Sequence, residues 1–439
     1  MDRILIITLA FLLMLVTMGW SISFIILVKG TKKIAADAIN NATVLFEKKD
    51  INNGNNKVSY TDATPTHYIQ IAEAAVNDLI RNYWVGTPKN GYIIPTWNGY
   101  PVNEKSTTNE IMKKGGMWER GIMIFAINNL YHATGNPTLK EYIASEWNYI
   151  KKNYTLTELE TPGGMLTTAV DDCGWDAMLY LIFYKDLGDP VALEYAEGLV
   201  DNAFNRWLDD KFGGGMWYND YRIIKSLYQV GIVLSALKIW ELTGEKSFYD
   251  KAFSCYQWME QKLLRPDGLY WCDYDDLGPV GERTNGLESG INEAGSVTFL
   301  GGNMAMGVIQ AILYKITGED TYRQEAIRTA NAIAQKETKN GIYLDDRDAW
   351  TDGSFAGEWA TKVLTLPGIS ETVKNILYST ANAIYYNDRT SGGYYGGCWD
   401  GPINEECPWN IVGSKPQQIM TSASAVDIIT AAALLASKN

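Results

Sequence analysis

The sequence predicts an all-α protein in which helical hairpins close into a toroid, an (α/α)6 barrel. The first observation is a short turn with a glycine, which recurs five times between one helical segment and the next. The turn glycines, at positions 135, 188, 244, 318 and 368, are 53, 56, 74 and 50 residues apart. A repeat of about 50 residues is typical of stacked helical hairpins, for which an open α-solenoid is the structural alternative.

The second observation is an alternation between two kinds of helix. The segments before the turns are apolar on nearly every face, as in GIVLSALKIWEL (231–242) and MAMGVIQAILYKI (304–316). Those after the turns, such as YRQEAIRTANAIAQK (322–336), keep a polar face, so the pattern predicts an inner and an outer ring of helices. A further N-terminal pair within 67–130 brings the total to about six hairpins. The longest spacing predicts an insertion between 265 and 300.

The N-terminal segment 4–28 contains 25 residues without a charge, which is long enough to cross a bilayer. We therefore expect a transmembrane signal-anchor over 1–30, a polar stalk over 31–64 and a single domain over 65–439. A cleaved signal peptide, with Ser21 and Ser23 near the cleavage point, is the alternative. The lysines after the segment favour a cytoplasmic C-terminal side. The enzyme-like remainder of the chain favours export, and we expect an extracytoplasmic domain, anchored or, after cleavage, secreted.

The amino-acid composition limits the kinds of function that this chain can have. The net charge of −13, without a basic stripe, excludes a typical nucleic-acid binder. Only two histidines occur, His67 and His132, so we expect carboxylates to do the chemistry and expect no metal and no cofactor. Of the five cysteines, Cys398 and Cys407 flank a loop and could pair, although free buried thiols fit equally well. We expect a monomer.

Five loops combine glycine, aromatic residues and aspartate. Aromatic faces stack on sugar rings, carboxylates bind hydroxyl groups, and glycine lets the backbone approach a ligand. This composition predicts a glycan-binding cleft at the end of the toroid where the loops meet, although each aromatic side chain alone could simply seal the core. The loops are GGMLTTAVDDCGWD (163–176), FGGGMWYND (212–220), DGLYWCDYDD (267–276), DGSFAGEW (352–359) and GGYYGGCWDGP (392–402).

One aspartate pair has the context of a catalytic pair. Glycoside cleavage needs a protonated carboxyl and an ionised one. Four Asp-Asp pairs occur, but only Asp171-Asp172 follows a Gly-rich segment and opens an apolar helix, Gly174–Leu187. The helix N-terminus stabilises one carboxylate, while burial and like-charge repulsion raise the pKa of the other.

The segment VDDCGWDAMLYLIFYKDLGDPVALEYA resembles the hallmark of glycoside hydrolase family 76, the endo-α-1,6-mannanases and their fungal cell-wall relatives. Further similar segments follow in the family order over roughly 65–437, including MWERGIMIFAI (117–127) and TFLGGNMAMGVIQAILYKITGEDTY (298–322). The resemblance implies an (α/α)6 barrel that hydrolyses α-1,6-mannosidic bonds in mannan with retention. It also implies Asp171 as the nucleophile and Asp172 as the general acid/base.

The family usually has a second aromatic residue where this chain has Asp176, which is either a subsite contact to a hydroxyl group or an acid that stabilises the helix dipole. A transglycosylase with the same chemistry and a non-catalytic glycan-binding toroid remain alternatives. Epimerases of this fold depend on histidines, and the presence of only two histidines in the chain disfavours this alternative. The candidate substrate-binding residues are Trp118, Trp175, Asp176, Trp217, Tyr218, Asp273, Phe355 and Trp399.

Overall fold

A computed structural model describes residues 64–94, 117–153, 169–280, 300–344, 352–401 and 419–438. The predicted anchor over 1–30 and the stalk up to residue 63 lie outside the described residues. Twelve helices make up most of the described chain. They are α1 (Pro65–Tyr83), α2 (Met117–Thr134), α3 (Pro137–Asn153), α4 (Val170–Leu187), α5 (Pro190–Trp207), α6 (Val230–Thr243), α7 (Lys246–Lys262), α8 (Leu300–Thr317), α9 (Asp320–Lys336), α10 (Ala356–Glu358), α11 (Glu371–Asn387) and α12 (Ile419–Ala436). The short α10 continues a 3-10 turn, Asp352–Phe355, and runs into a π-helical turn, Trp359–Val363.

The five predicted hairpin turns are confirmed. Each turn glycine has a positive φ, between 68° and 101°, the left-handed conformation that ends a helix at little cost for glycine. Gly188 and Gly244 donate their backbone N–H to Tyr184 and Trp240, respectively, four residues upstream. The next helix then begins at once, as at Asp189, whose side chain caps α5.

The even-numbered helices form the inner ring. Each packs against the next around the barrel, in the order α2, α4, α6, α8, α10, α12 and back to α2. Their residues are buried on nearly every side, whereas the odd-numbered helices bury one stripe and expose the other. The predicted division into an apolar inner ring and an amphipathic outer ring is therefore present, and the fold is an all-α barrel.

The sixth helix pair differs from the predicted one. We expected both its members within 67–130, but α2 already belongs to the first hairpin and α1 packs mainly against α12. The first and last helices of the described chain thus close the ring. No Gly turn connects them, because they are more than 300 residues apart, and the repeat could not reveal the pair.

The helix α12 is the one described helix long and apolar enough to cross a membrane. All of its residues are buried inside the protein. Its apolar length is therefore accounted for by its place in the inner ring, between α2 and α10.

Short strands occur in the loops that lead into the inner helices. The hairpin β1 (Trp84–Thr87) with β2 (Asn90–Ile93) follows α1, and β6 (Thr338–Lys339) with β7 (Ile342–Tyr343) follows α9. A three-stranded sheet joins β3 (Lys225–Ser226), β4 (Asp273–Asp275) and β5 (Gly278–Pro279) in antiparallel order. The last two strands lie in the predicted insertion.

The cysteines fall into two groups. Cys173, Cys255 and Cys272 are free and buried. Cys398 is disulfide-bonded, and the second half of that bond lies outside the described residues. The loop after α11, which contains Cys398, is thus held by a covalent cross-link.

Candidate active site

The aspartate pair lies in the first turn of α4, as predicted. Asp171 and Asp172 occupy the second and third positions of the helix, at the end of the barrel where the loops into the inner helices meet. The Asp171 carboxylate accepts a hydrogen bond from the backbone N–H of Asp172 at 3.0 Å. An anion in the first turn of a helix is stabilised by such N–H groups and by the helix dipole, so the position suits an ionised carboxylate.

The loop before α6 docks on this helix start. The backbone N–H of Val170 donates to the Tyr218 carbonyl at 2.8 Å, and Ala169 forms an isolated antiparallel bridge with Asn219. The Tyr218 hydroxyl donates to Asp171 Oδ2 at 3.4 Å. The predicted substrate-binding residue Tyr218 therefore contacts the predicted nucleophile directly.

A buried lysine organises that loop. Lys225 Nζ lies within 2.7–3.0 Å of the carboxylate and carbonyl of Asp209 and of the carbonyls of Lys211, Gly214 and Gly215. Its side chain is fully buried. A buried charge must be paired and hydrogen-bonded, so this ammonium fixes the loop around itself and thereby holds Tyr218 over α4.

Asp172, like Asp171, is partly buried at the start of α4. Desolvation raises the pKa of Asp172 to about 6. The expected contribution of like-charge repulsion from Asp171 stays a prediction. A carboxyl with this pKa keeps its proton in weakly acidic solution, which suits a general acid.

Two more carboxyls lie beneath the pair. Asp176 is one helical turn beyond Asp172, and Glu119 belongs to the neighbouring helix α2; both are buried. Burial, with repulsion from Asp172 and Glu119, holds the pKa of Asp176 well above its usual range. Asp176 was expected either to contact a sugar hydroxyl or to stabilise the helix dipole, and both roles stay predictions for this fully buried side chain.

Two of the predicted aromatic contacts meet across the barrel. The rings of Trp175 on α4 and Phe355 before α10 lie 4.7 Å apart between centroids, although the two helices are opposite each other in the inner ring. Both side chains are buried. They fill the centre of the barrel below the aspartates, and a direct contact with substrate stays a prediction.

The other predicted residues are distributed around the same end. Trp217 is buried and donates its indole N–H to Asp209. Asp273 is buried on β4, and Trp399 is buried in the loop after α11. Trp118, in the first turn of α2, is partly exposed. Within the described part of the chain, no His, Cys, Asp and Glu side chains form a metal-binding group of three.

Sequence reasoning missed two residues of this site, Glu119 and Lys225. Both had a signal, since each is a charged residue within an apolar stretch, MWERGIMIF and RIIKSLYQV, respectively. A charge in such a position is buried and must be paired or neutralised.

The sequence matches the model of glycosyl hydrolase family 76 over residues 90–436. The chain belongs to this family. It is therefore a glycoside hydrolase, and the matched range includes eleven of the twelve helices and the whole aspartate site. No curated protein is significantly similar in sequence to this chain.

Solved structures of this family have a similar fold. The α-1,6-mannanase GH76A of Salegentibacter sp. HEL1_6, an inactive variant in complex with α-1,6-mannotriose, has a TM-score of 0.62 at 18% identity, over 84% of this chain and 99% of that one. Dfg5 from Chaetomium thermophilum, in complex with glucosamine, has a TM-score of 0.62 at 14% identity, over 86% and 92%. A family 76 hydrolase from a bovine Bacteroides thetaiotaomicron strain has a TM-score of 0.64 at 17% identity, over 85% and 78%.

Proposed function

We propose that this family 76 protein is an endo-acting, retaining glycosidase that cleaves α-1,6-mannosidic linkages in mannan. The observation that carries the proposal is the contrast between two adjacent carboxyls. Asp171 accepts hydrogen bonds at a helix N-terminus, whereas burial raises the pKa of Asp172 to about 6. One ionised and one protonated carboxyl are what a retaining glycosidase needs.

In the first step, the Asp171 carboxylate attacks the anomeric carbon and forms a glycosyl ester. Asp172 gives its proton to the departing glycosidic oxygen, which leaves as the free hydroxyl of the other sugar. In the second step, Asp172, now a carboxylate, takes a proton from water. The resulting hydroxide equivalent attacks the anomeric carbon and releases Asp171, so that two displacements retain the configuration.

Two solved structures of a relative support the proposed substrate. The Salegentibacter mannanase is described as inactive when two consecutive aspartates are replaced, and was solved with α-1,6-mannotriose and α-1,6-mannotetrose. Asp171-Asp172 is the consecutive pair that opens an inner helix in this chain. This similarity supports an α-1,6-linked mannose chain as the substrate.

The test is digestion of linear α-1,6-mannan by the full-length protein and by the variants Asp171→Asn and Asp172→Asn. We expect oligosaccharides from the wild type, a loss of at least about 10³-fold in either variant, and an α-configured first product by NMR. Activity that survives both substitutions would refute the assignment of the pair. A first product with β configuration would refute retention.

The same digestion distinguishes the alternatives. Products longer than the starting oligosaccharide, formed when mannose oligosaccharides are added as acceptors, would identify a transglycosylase. Binding of mannan without any cleavage by the wild type would identify a glycan-binding protein. The matched control is Asp210→Asn, which removes an exposed carboxyl of another Asp-Asp pair and is expected to leave cleavage unchanged.

We also infer that the barrel works outside the cytoplasm. Disulfides persist in oxidising compartments, and Cys398 is disulfide-bonded. The predicted anchor over 1–30 fits the same location. Protease added to intact cells should digest the barrel if it is anchored outside, and the mass of the mature protein distinguishes an anchor from a cleaved signal peptide.

A further inference from the structure

The site contains more carboxyls than the reaction uses. Asp172 and Asp176 are one turn apart on α4, a spacing that places two side chains on the same face of a helix. Glu119 projects from α2, which packs directly against α4. Each of the three carboxyls is close enough to influence the ionisation of another.

The two additional carboxyls lack the partners that an ionised group needs. Asp176 is 0% exposed and Glu119 is 1% exposed. Among the described residues, neither oxygen of Asp176 has a hydrogen-bond partner, and Glu119 Oε2 has none. A buried carboxylate without donors costs several kcal/mol, so both groups are far more stable in the protonated form.

A third buried glutamate shows the opposite arrangement nearby. Glu146 on α3 accepts a hydrogen bond from Arg120 Nη1 at 2.5 Å and another from the backbone N–H of Ile93 at 2.8 Å. Arg120 follows Glu119 in the chain, and its attraction lowers the pKa of Glu119 less than burial raises it. The guanidinium forms an ion pair with Glu146, and burial leaves the pKa of Glu119 well above its usual range.

We propose that Asp176 and Glu119 are positioning residues for Asp172, which remain protonated while Asp172 loses and regains its proton. This proposal rests on the acid/base role of Asp172 in the proposed function. When Asp172 gives its proton to the leaving oxygen, it becomes the second carboxylate of the site, beside Asp171. Because Asp176 and Glu119 are protonated and therefore neutral, they do not add a third and a fourth negative charge that would repel the new carboxylate of Asp172.

The charged groups that act on Asp176 are Asp172 on its own helix and Glu119 on α2. Those that act on Glu119 are Arg120 on α2 and Asp172 on α4. Arg120 is in turn paired with Glu146 of α3. These groups define the pH dependence. A carboxyl whose pKa is higher in the folded than in the unfolded chain stabilises the fold below its unfolded pKa, and this stability is lost as the pH rises.

The test therefore uses stability rather than activity. Unfolding of the full-length protein by urea is measured from about pH 5 to about pH 8 for the wild type, Asp176→Asn and Glu119→Gln. The variants no longer titrate at the substituted position. We expect the unfolding equilibrium constant of the wild type, divided by that of each variant, to rise about tenfold per pH unit. Glu73→Gln, which removes an exposed carboxyl on α1, should give a constant ratio.

A constant ratio for Asp176→Asn and Glu119→Gln would overturn the proposal. If a variant does not fold, its unfolding measurement is replaced by infrared spectroscopy of the wild type at neutral pH. There, carbonyl bands of protonated carboxyls are expected, and their absence also overturns the proposal. Neither measurement needs a substrate, so a failure to cleave mannan would refute the proposed function and leave the result on these two residues standing.

A second readout separates positioning from a charge effect. If Asp176 is already neutral, Asp176→Asn should leave the alkaline limb of the pH profile of kcat/KM within about 0.3 pH unit of the wild type. Removal of an ionised Asp176 would instead lower the pKa of Asp172 and move that limb down by about one unit or more, which would contradict the proposal.

Discussion

Gly174 on α4 and Gly231 on α6 lie backbone against backbone. A Cβ on Gly174 would come within 2.9 Å of the Gly231 backbone, and one on Gly231 within 3.0 Å of Gly174 Cα. This close approach joins the helix that carries the aspartate pair to the helix that follows the Lys225 loop. Because neither glycine has a side chain, α4 and α6 can approach closely, and this contact fixes the aspartate pair relative to the Lys225 loop.

We expect Gly174→Ala to destabilise the fold by about 1–3 kcal/mol, because the methyl group has no space and the two helices must separate. Activity should fall with it, since Tyr218 would move relative to Asp171. Urea unfolding measures the first effect. Gly121→Ala on α2 is the control, because its Cβ would lie 3.7 Å from the Leu179 side chain, an ordinary contact. An equal loss in both variants would show that the close contact is not the cause.

Lys225→Met should destabilise the fold by about 3–5 kcal/mol, because it leaves the Asp209 carboxylate and several buried carbonyls without their donor. Thermal unfolding and the rate of mannan cleavage should both show a loss. Arg222→Met removes the other cation near Asp209, at 3.4 Å but half exposed, and should cost less than about 1 kcal/mol. The prediction fails if the two variants are equally stable.

Tyr218→Phe removes the hydroxyl that donates to Asp171 and keeps the ring. Since this bond is long, we expect a decrease in kcat/KM of about 2–10-fold, which corresponds to a single hydrogen bond of modest strength. Tyr221→Phe is the matched control on the same loop, because Tyr221 is 82% exposed. A decrease of the same size in the control would exclude a specific role for the Tyr218 hydroxyl.

The pH dependence of kcat/KM should follow Asp172. The free enzyme must carry the proton on this carboxyl, and burial raises its pKa to about 6. Activity is therefore expected to fall as the pH rises above about 6 and to be retained below it until Asp171 is protonated. Initial rates at low mannan concentration across the pH range measure this. A profile that is flat through pH 6 to 8 would contradict the assignment of Asp172 as the acid.

The barrel could be predicted from local signals because each hairpin carries its own. Gly188 and Gly244 end their helices in the left-handed conformation, and the apolar faces on either side follow from the sequence alone. The pairing of α1 with α12 carries no local signal, since it depends on contacts between segments at opposite ends of the described chain.

The candidate site could be predicted less completely. The position of Asp171 and Asp172 at a helix start follows from the sequence, since an apolar helix begins directly after them. The surroundings of Asp176 do not follow from the sequence, because an acidic residue four positions after Asp172 could equally well be exposed to solvent. Its burial depends on the neighbouring helix α2, which packs directly against α4. The contact between Trp175 and Phe355 also has no signal in the sequence, because it joins helices from opposite sides of the ring; their contact with substrate stays a prediction.

The closure of the ring by α1 and α12 has a consequence for biogenesis. Because a chain is synthesised from its N-terminus, the aspartate-bearing helix α4 is made long before α12, and the barrel stays open until α12 is available. Until then, the inner faces of α1 and α2 that α12 covers are exposed to solvent, and they are the surfaces on which a chaperone or a protease would act first. A chain cut short before residue 419 is therefore expected to lack the closed barrel and to be less stable than the full chain.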